Sequence, residues 1–175
     1  MNDNQTMTIG EFNHLPAPEA RAALARCCGA EVWVEEMSRR RPFRDFEDML
    51  SAADEAFAAM GRDDWLEAFG HHPRIGDIKA LGAKSRDATA WASGEQAGVA
   101  GASDEELSAL AEGNRAYFEK FGYIFIVSAS GKSPREMLYL LNERLRNDAE
   151  MELTRAATEQ MKITHLRLHK LIAQA

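Results

Sequence analysis

The chain has 175 residues, 45% hydrophobic and 28% charged, with a formal charge of −7, and a chain of this size buries about 70% of its unfolded surface. That acidic balance excludes a nucleic-acid surface, which needs clustered Lys and Arg to displace counterions, and no apolar run approaches the roughly 20 residues of a membrane span. The start Met1-Asn2-Asp3-Asn4-Gln5-Thr6 lacks the basic and apolar stretches of a signal peptide, and Ala173-Gln174-Ala175 is no peroxisomal tripeptide, so one cytoplasmic domain over 1–175 is expected.

Helical periodicity dominates from the N-terminal side. Pro18 to Cys27, Glu31 to Arg39 and Asp45 to Met60 read as helices, punctuated by Gly29, Pro42 and Gly61. Cys27 and Cys28 are neighbours and cannot staple distant elements. They read as small buried thiols, with a vicinal redox pair as the alternative. A further helix through Asp64–Phe69 runs into His71-His72-Pro73-Arg74-Ile75-Gly76-Asp77. Proline fixes its own φ and drives the preceding residue out of helical geometry, so His72 should stand just beyond the helix, conformationally restricted. A histidine held that way suits acid–base work near neutrality; the alternative is a helix-ending loop with two surface histidines.

The stretch Ala88 to Gly98 mixes helix formers with two glycines and the polar pair Glu95-Gln96 among small residues. Small residues admit a close second surface or ligand, although Glu95 alone also fits a solvated helix position. Ser103-Asp104-Glu105-Glu106 is a capping box opening a helix with Leu107, Leu110, Asn114, Tyr117 and Phe121 on one stripe. Phe121 to Ala129 is β-branched, aromatic and short, and no second strand of comparable quality exists to pair with it. Its main-chain groups must still be satisfied if buried, so it is either an apolar connector or a segment open to side chains, water or a ligand. Ser133-Pro134-Arg135-Glu136 caps the next helix, through Met137, Leu140, Leu141 and Leu145. The last helix runs from about Asp148 with the stripe Leu153, Ala157, Met161, Thr164, Leu168 and Leu171. Arg167 lies beside that stripe, where a guanidinium needs either a carboxylate from another helix or a polar cavity. The expectation is an all-α, compact single-domain bundle of about seven or eight helices, with 123–129 extended and unpaired.

His72-Pro73, Glu95-Gln96-Ala97-Gly98, Asn114-Arg115-Ala116-Tyr117 with Lys120-Phe121-Gly122, Phe125-Ile126-Val127, and Lys162-Ile163-Thr164 through Arg167-Leu168 together resemble the OHCU decarboxylase family. OHCU is 2-oxo-4-hydroxy-4-carboxy-5-ureidoimidazoline, a late intermediate of urate degradation. Each motif alone is weak; their common order over nearly the whole chain is specific. The resemblance implies a compact helical fold that pairs into a homodimer and converts OHCU to (S)-allantoin and CO₂ without metal or organic cofactor. By motif position it implies His72 as the catalytic histidine and Glu95 as its acidic partner. Pro73, the stretch Ala92, Ser93, Gly94 and Gln96, the run Phe125, Ile126, Val127, Ser128 and Ala129, and Arg167 correspond to substrate-contacting positions. One departure is visible: members often carry serine three residues before the glutamate, where this chain has Ala92.

The implied chemistry fits these residue types. The carboxylate leaves from a hydroxyl-bearing carbon next to a C=N bond, which accepts the electron pair, so the substrate is its own electron sink. The protein has to orient an anion and deliver a proton to one face. Near-neutral His72 suits proton delivery, Glu95 can hydrogen-bond the hydroxyl or His72, Gln96 can donate and accept, and Arg167 offers a planar donor fork. Two alternatives come from other classes. His165 and His169 are four apart, as zinc pairs are, with His71 and His72 as possible further ligands, but the glutamate of a His-Glu-x-x-His hydrolase is missing. A non-catalytic helical adaptor or urate-pathway scaffold would account for the acidity and helix content.

Overall fold

A computed structural model describes residues 6–72 and 103–173. The elements are α1 (Ile9–His14), α2 (Ala17–Cys27), α3 (Glu31–Arg39), α4 (Phe46–Ala58), α5 (Arg62–Gly70), α6 (Asp104–Phe121), α7 (Pro134–Arg144) and α8 (Ala149–Leu171). Eight helices and no strand among the described residues agree with the all-α expectation. Extended pairing is limited there to one isolated parallel bridge, Met7 to Ile172. No helix among the described residues is long and apolar enough to cross a membrane.

The chain divides into two compact units, Met1–His71 with Gln160–Ala175, and His72–Glu159. In the first, α2 packs on α3 and α3 on α4, burying Leu24, Trp33, Met37 and Met49 completely. Trp33 satisfies its indole by donating to the Ala53 carbonyl at 3.2 Å. Sequence periodicity passes over α1. Its six residues include Gly10 and Asn13, poor helix formers, but Thr8 and Glu11 form a reciprocal capping box at its start. At its end Arg41 Nη2 donates to the carbonyls of Phe12, Asn13 and Leu15 at 2.8–2.9 Å. A distant guanidinium thus holds a helix that local propensity would not.

In the second unit, α6 packs against α7. Gly113 makes this possible, since a Cβ there would lie 2.6 Å from Leu141 Cδ2. The capping boxes at Ser103 and Ser133 form as expected, and α6 stops at Gly122, whose φ of 81° is left-handed. The expected stripe on α8 is buried at Leu153, Ala157, Thr164, Leu168 and Leu171 and half-buried at Met161.

Candidate active site

Helix α5 opens with the Gly61 N–H donating to Asp64 Oδ2 at 2.8 Å. It ends at His71, whose N–H returns to the carbonyls of Ala68 and Phe69. His72 follows at a bend and is half-buried, which is where the proline rule puts it. Pro73, Ala92, Ser93, Gly94, Glu95 and Gln96 lie outside the described residues. The two C-terminal histidines face different neighbours. His165 Nε2 lies 2.6 Å from Asp54 Oδ1, and the His169 ring stands edge-on to Phe46. Among the described residues, no three His, Cys, Asp or Glu side chains group to hold a metal.

Arg167 is only 8% exposed and sits between fully buried Thr164 and Leu168, as its place beside the stripe predicts. Its Nη1 donates to the carbonyls of Arg26 and Cys27, at 3.3 and 3.4 Å. These belong to the last turn of α2, where outward-facing carbonyls carry partial negative charge and favour a cation. Cys27 and Cys28 are fully buried and form no disulfide. Burial pushes the Cys28 thiol up to about 11, against the opposing charge of Arg167. They are small core thiols.

The segment 124–129 is extended without a sheet partner, and Phe125, Ile126, Val127, Ser128 and Ala129 are all buried. Part of its main chain is held by charged side chains. Arg144 Nη1 donates to the Ile126 carbonyl at 2.6 Å, and its guanidinium lies 4.6 Å from the centre of the Phe125 ring. The Ser128 N–H donates to Glu159 Oε2 at 2.8 Å, while Lys132 Nζ donates to the Ser128 carbonyl at 2.6 Å. Arg144 is fixed in turn by Glu152, whose Oε1 accepts from Arg144 Nε at 2.7 Å and from the Tyr117 hydroxyl. Asn147 Nδ2 donates to the other oxygen at 2.7 Å. Burial pushes the Tyr117 hydroxyl far above the ordinary phenol range, and its bond to Glu152 adds to this, so it remains a donor. The N–H groups of Ile126 and Val127 and the Val127 carbonyl meet no hydrogen-bond partner among the described residues. Buried main-chain groups without such partners are rare, and in an extended segment the Val127 N–H and C=O share one side, opposite the side on which Arg144 and Glu159 hold Ile126 and Ser128.

Sequence reasoning missed Arg144, Glu152 and Glu159, which hold this edge. A signal existed: Arg144 continues the Met137–Leu141 face of α7, and Glu152 and Glu159 are seven residues apart along the inward side of α8. Charges on a core-facing stripe mark a buried network.

The family model described as OHCU decarboxylase matches residues 13–169. The chain is 42% identical over 147 residues to the "Uric acid degradation bifunctional protein TTL" of Arabidopsis thaliana, covering 84% of this chain and 45% of that protein. It therefore spans less than half the length of that curated relative. It is 24% identical to a 2-oxo-4-hydroxy-4-carboxy-5-ureidoimidazoline decarboxylase of Haloferax volcanii, covering 93% of this chain and 94% of the other. Among solved structures, an OHCU decarboxylase crystallised in the presence of (S)-allantoin superposes with a TM-score of 0.70 at 37% identity, covering 86% of this chain and 96% of that one.

Proposed function

The chain belongs to the OHCU decarboxylase family, and on that premise we propose that it decarboxylates OHCU to (S)-allantoin in urate degradation. The observation that carries this reading is the reach of the family match. The match over 13–169 spans the stretches that contain His72, Glu95, 125–129 and Arg167. The Val127 main chain supports it, because a donor and an acceptor on one side of an extended residue complement the alternating N–H and C=O groups of a ureido-substituted imidazoline.

In this reading Arg167 engages the anionic oxygens of the substrate and the 125–129 edge fixes its ring. The C–CO₂⁻ bond breaks and its electron pair enters the adjacent C=N, whose nitrogen takes up a proton. The hydroxyl becomes a carbonyl as a proton is added to one face of the neighbouring ring carbon, with His72 as donor and Glu95 holding the hydroxyl or His72. No organic cofactor or metal enters these steps, because the C=N itself accepts the electrons. Residues 1–175 act as one catalytic domain, cytoplasmic and paired as a homodimer. Light scattering should accordingly return twice the 19.5 kDa of the chain.

The test is a coupled assay that starts from urate with upstream enzymes and follows the handedness of allantoin by circular dichroism. Uncatalysed decay gives racemate, so faster production of the (S) form is the expected signature. Replacing His72 by Asn should lower turnover by roughly 10²–10⁴-fold while leaving thermal unfolding nearly unchanged. A native protein that yields only racemate at the uncatalysed rate would overturn the activity. Near-native turnover in H72N would remove His72 from the chemistry.

A further inference from the structure

The connector between α2 and α3 receives three side chains within a few residues. Arg167 holds the carbonyls of Arg26 and Cys27 at its start. Glu67, on α5, accepts the Glu31 N–H at its end, at 3.2 Å. Between them the His71 side chain lies directly on Gly29. A Cβ built on Gly29 would fall 2.2 Å from His71 Cγ, 2.4 Å from Cδ2 and 2.7 Å from Cβ. Real Cβ atoms do not approach that closely. The left-handed glycines among the described residues are Gly122 and Gly131, so Gly29 is needed for the space it leaves and not for its backbone conformation. Rotating the imidazole would not relieve the clash, because His71 Cβ itself is in the way and moves only with the main chain.

His71 is the C-cap of α5 and the residue before His72. We propose that Gly29 is a positioning residue: its bare Cα seats His71 and thereby sets where the adjoining His72 stands. The inference rests on the reading of His72 as proton donor given above. It adds that the last turn of α5 is held to the connector at two points, the Glu67 carboxylate and the His71 ring. A proton donor displaced by even 1 Å can lose about a hundredfold in rate.

A double-mutant cycle between Gly29 and His71 tests this. Gly29→Ala should lower kcat by about tenfold to a hundredfold with KM changed less than about threefold, and should erode the (S) excess of the allantoin formed. Adding His71→Gly removes every clashing atom together with the ring contact, and should recover at least about threefold of the lost kcat without reaching the native value. Nuclear magnetic resonance provides a readout that does not depend on turnover. The His72 ring Cε1–Hε1 signal should move in Gly29→Ala and return in the double variant, while that of His14 on α1 stays fixed. An unmoved His72 signal together with native kcat in Gly29→Ala would overturn the proposal, as would a loss that His71→Gly does not rescue. If Gly29→Ala fails to fold, a folded and active double variant supports the seat, and an unfolded one rejects it. Should the native protein itself make only racemate, the functional reading fails, and the His72 signal alone decides the seat.

Discussion

Around residues 125–129 a guanidinium holds a main chain in place, whereas at the end of α2 a main chain holds a guanidinium. Arg144 donates to the Ile126 carbonyl at 2.6 Å and to Glu152 at 2.7 Å, and covers the Phe125 ring. Arg167 reaches the Arg26 and Cys27 carbonyls through Nη1 at 3.3 and 3.4 Å. Both side chains are less than a tenth exposed, yet the bond lengths separate them. Short, charge-assisted bonds to a buried carboxylate leave Arg144 nothing to offer a ligand without stranding Glu152. The bonds from Arg167 to the two carbonyls are longer, and a neutral carbonyl is a weaker acceptor than a carboxylate. Burial of an arginine therefore says little about its role until its partners are known.

The largest effect should come from breaking the tighter of the two. Arg144→Met leaves Glu152 buried without its counter-charge and should cost about 3–5 kcal/mol in urea unfolding. Adding Glu152→Gln removes the stranded charge while keeping an acceptor for the Tyr117 hydroxyl, and should recover much of that loss. A cost under about 1 kcal/mol for Arg144→Met would erase the contrast from its structural side.

Arg167→Lys probes the other side. Lysine keeps a cation near the end of α2 but loses the planar fork. If the fork serves substrate, kcat/KM should fall about tenfold to a hundredfold, equal to about 1.4–2.7 kcal/mol, with little change in melting temperature. A large stability loss with normal catalysis in the folded fraction would instead place Arg167 beside Arg144 as a structural group.

The two regions also differ in how far the sequence foretold them. Helices α2 to α8 were legible because caps, proline and apolar spacing are local signals, and the extended segment stood out because its composition had no strand to pair with. Arg167 was legible for a related reason: a charge beside an apolar stripe has to be explained. What satisfies these charges was not legible. Glu152 and Ile126 lie 8 and 18 residues from Arg144, and the Arg26 and Cys27 carbonyls that Arg167 reaches lie about 140 residues away. No period in the sequence encodes such separations. The α1 helix escaped for the same reason, since its closing contacts come from Arg41. Gly29 read only as punctuation, because the demand on it arises from the His71 side chain in three dimensions.

The smallest expected effect reads the connector through its thiol. Burial holds Cys28 at about 11 against an ordinary 9.0, so between those values the folded chain keeps a proton that the unfolded chain releases. Stability then falls as pH rises through this window, by about 1 kcal/mol at pH 10. Tyr117, also pushed upward, contributes with the same sign, so the relevant quantity is the difference between native protein and Cys28→Ala in urea titrations from pH 8 to 11. The variant should show the shallower fall. Arg167 enters here too, because its positive charge pulls the thiol downward. Arg167→Met should leave the onset of the loss in place but extend it to higher pH and deepen it, whereas Arg167→Lys should leave the window nearly unchanged. An unchanged window in Arg167→Met would mean that the guanidinium charge is spent away from the connector, and the contrast with Arg144 would then rest on catalysis alone.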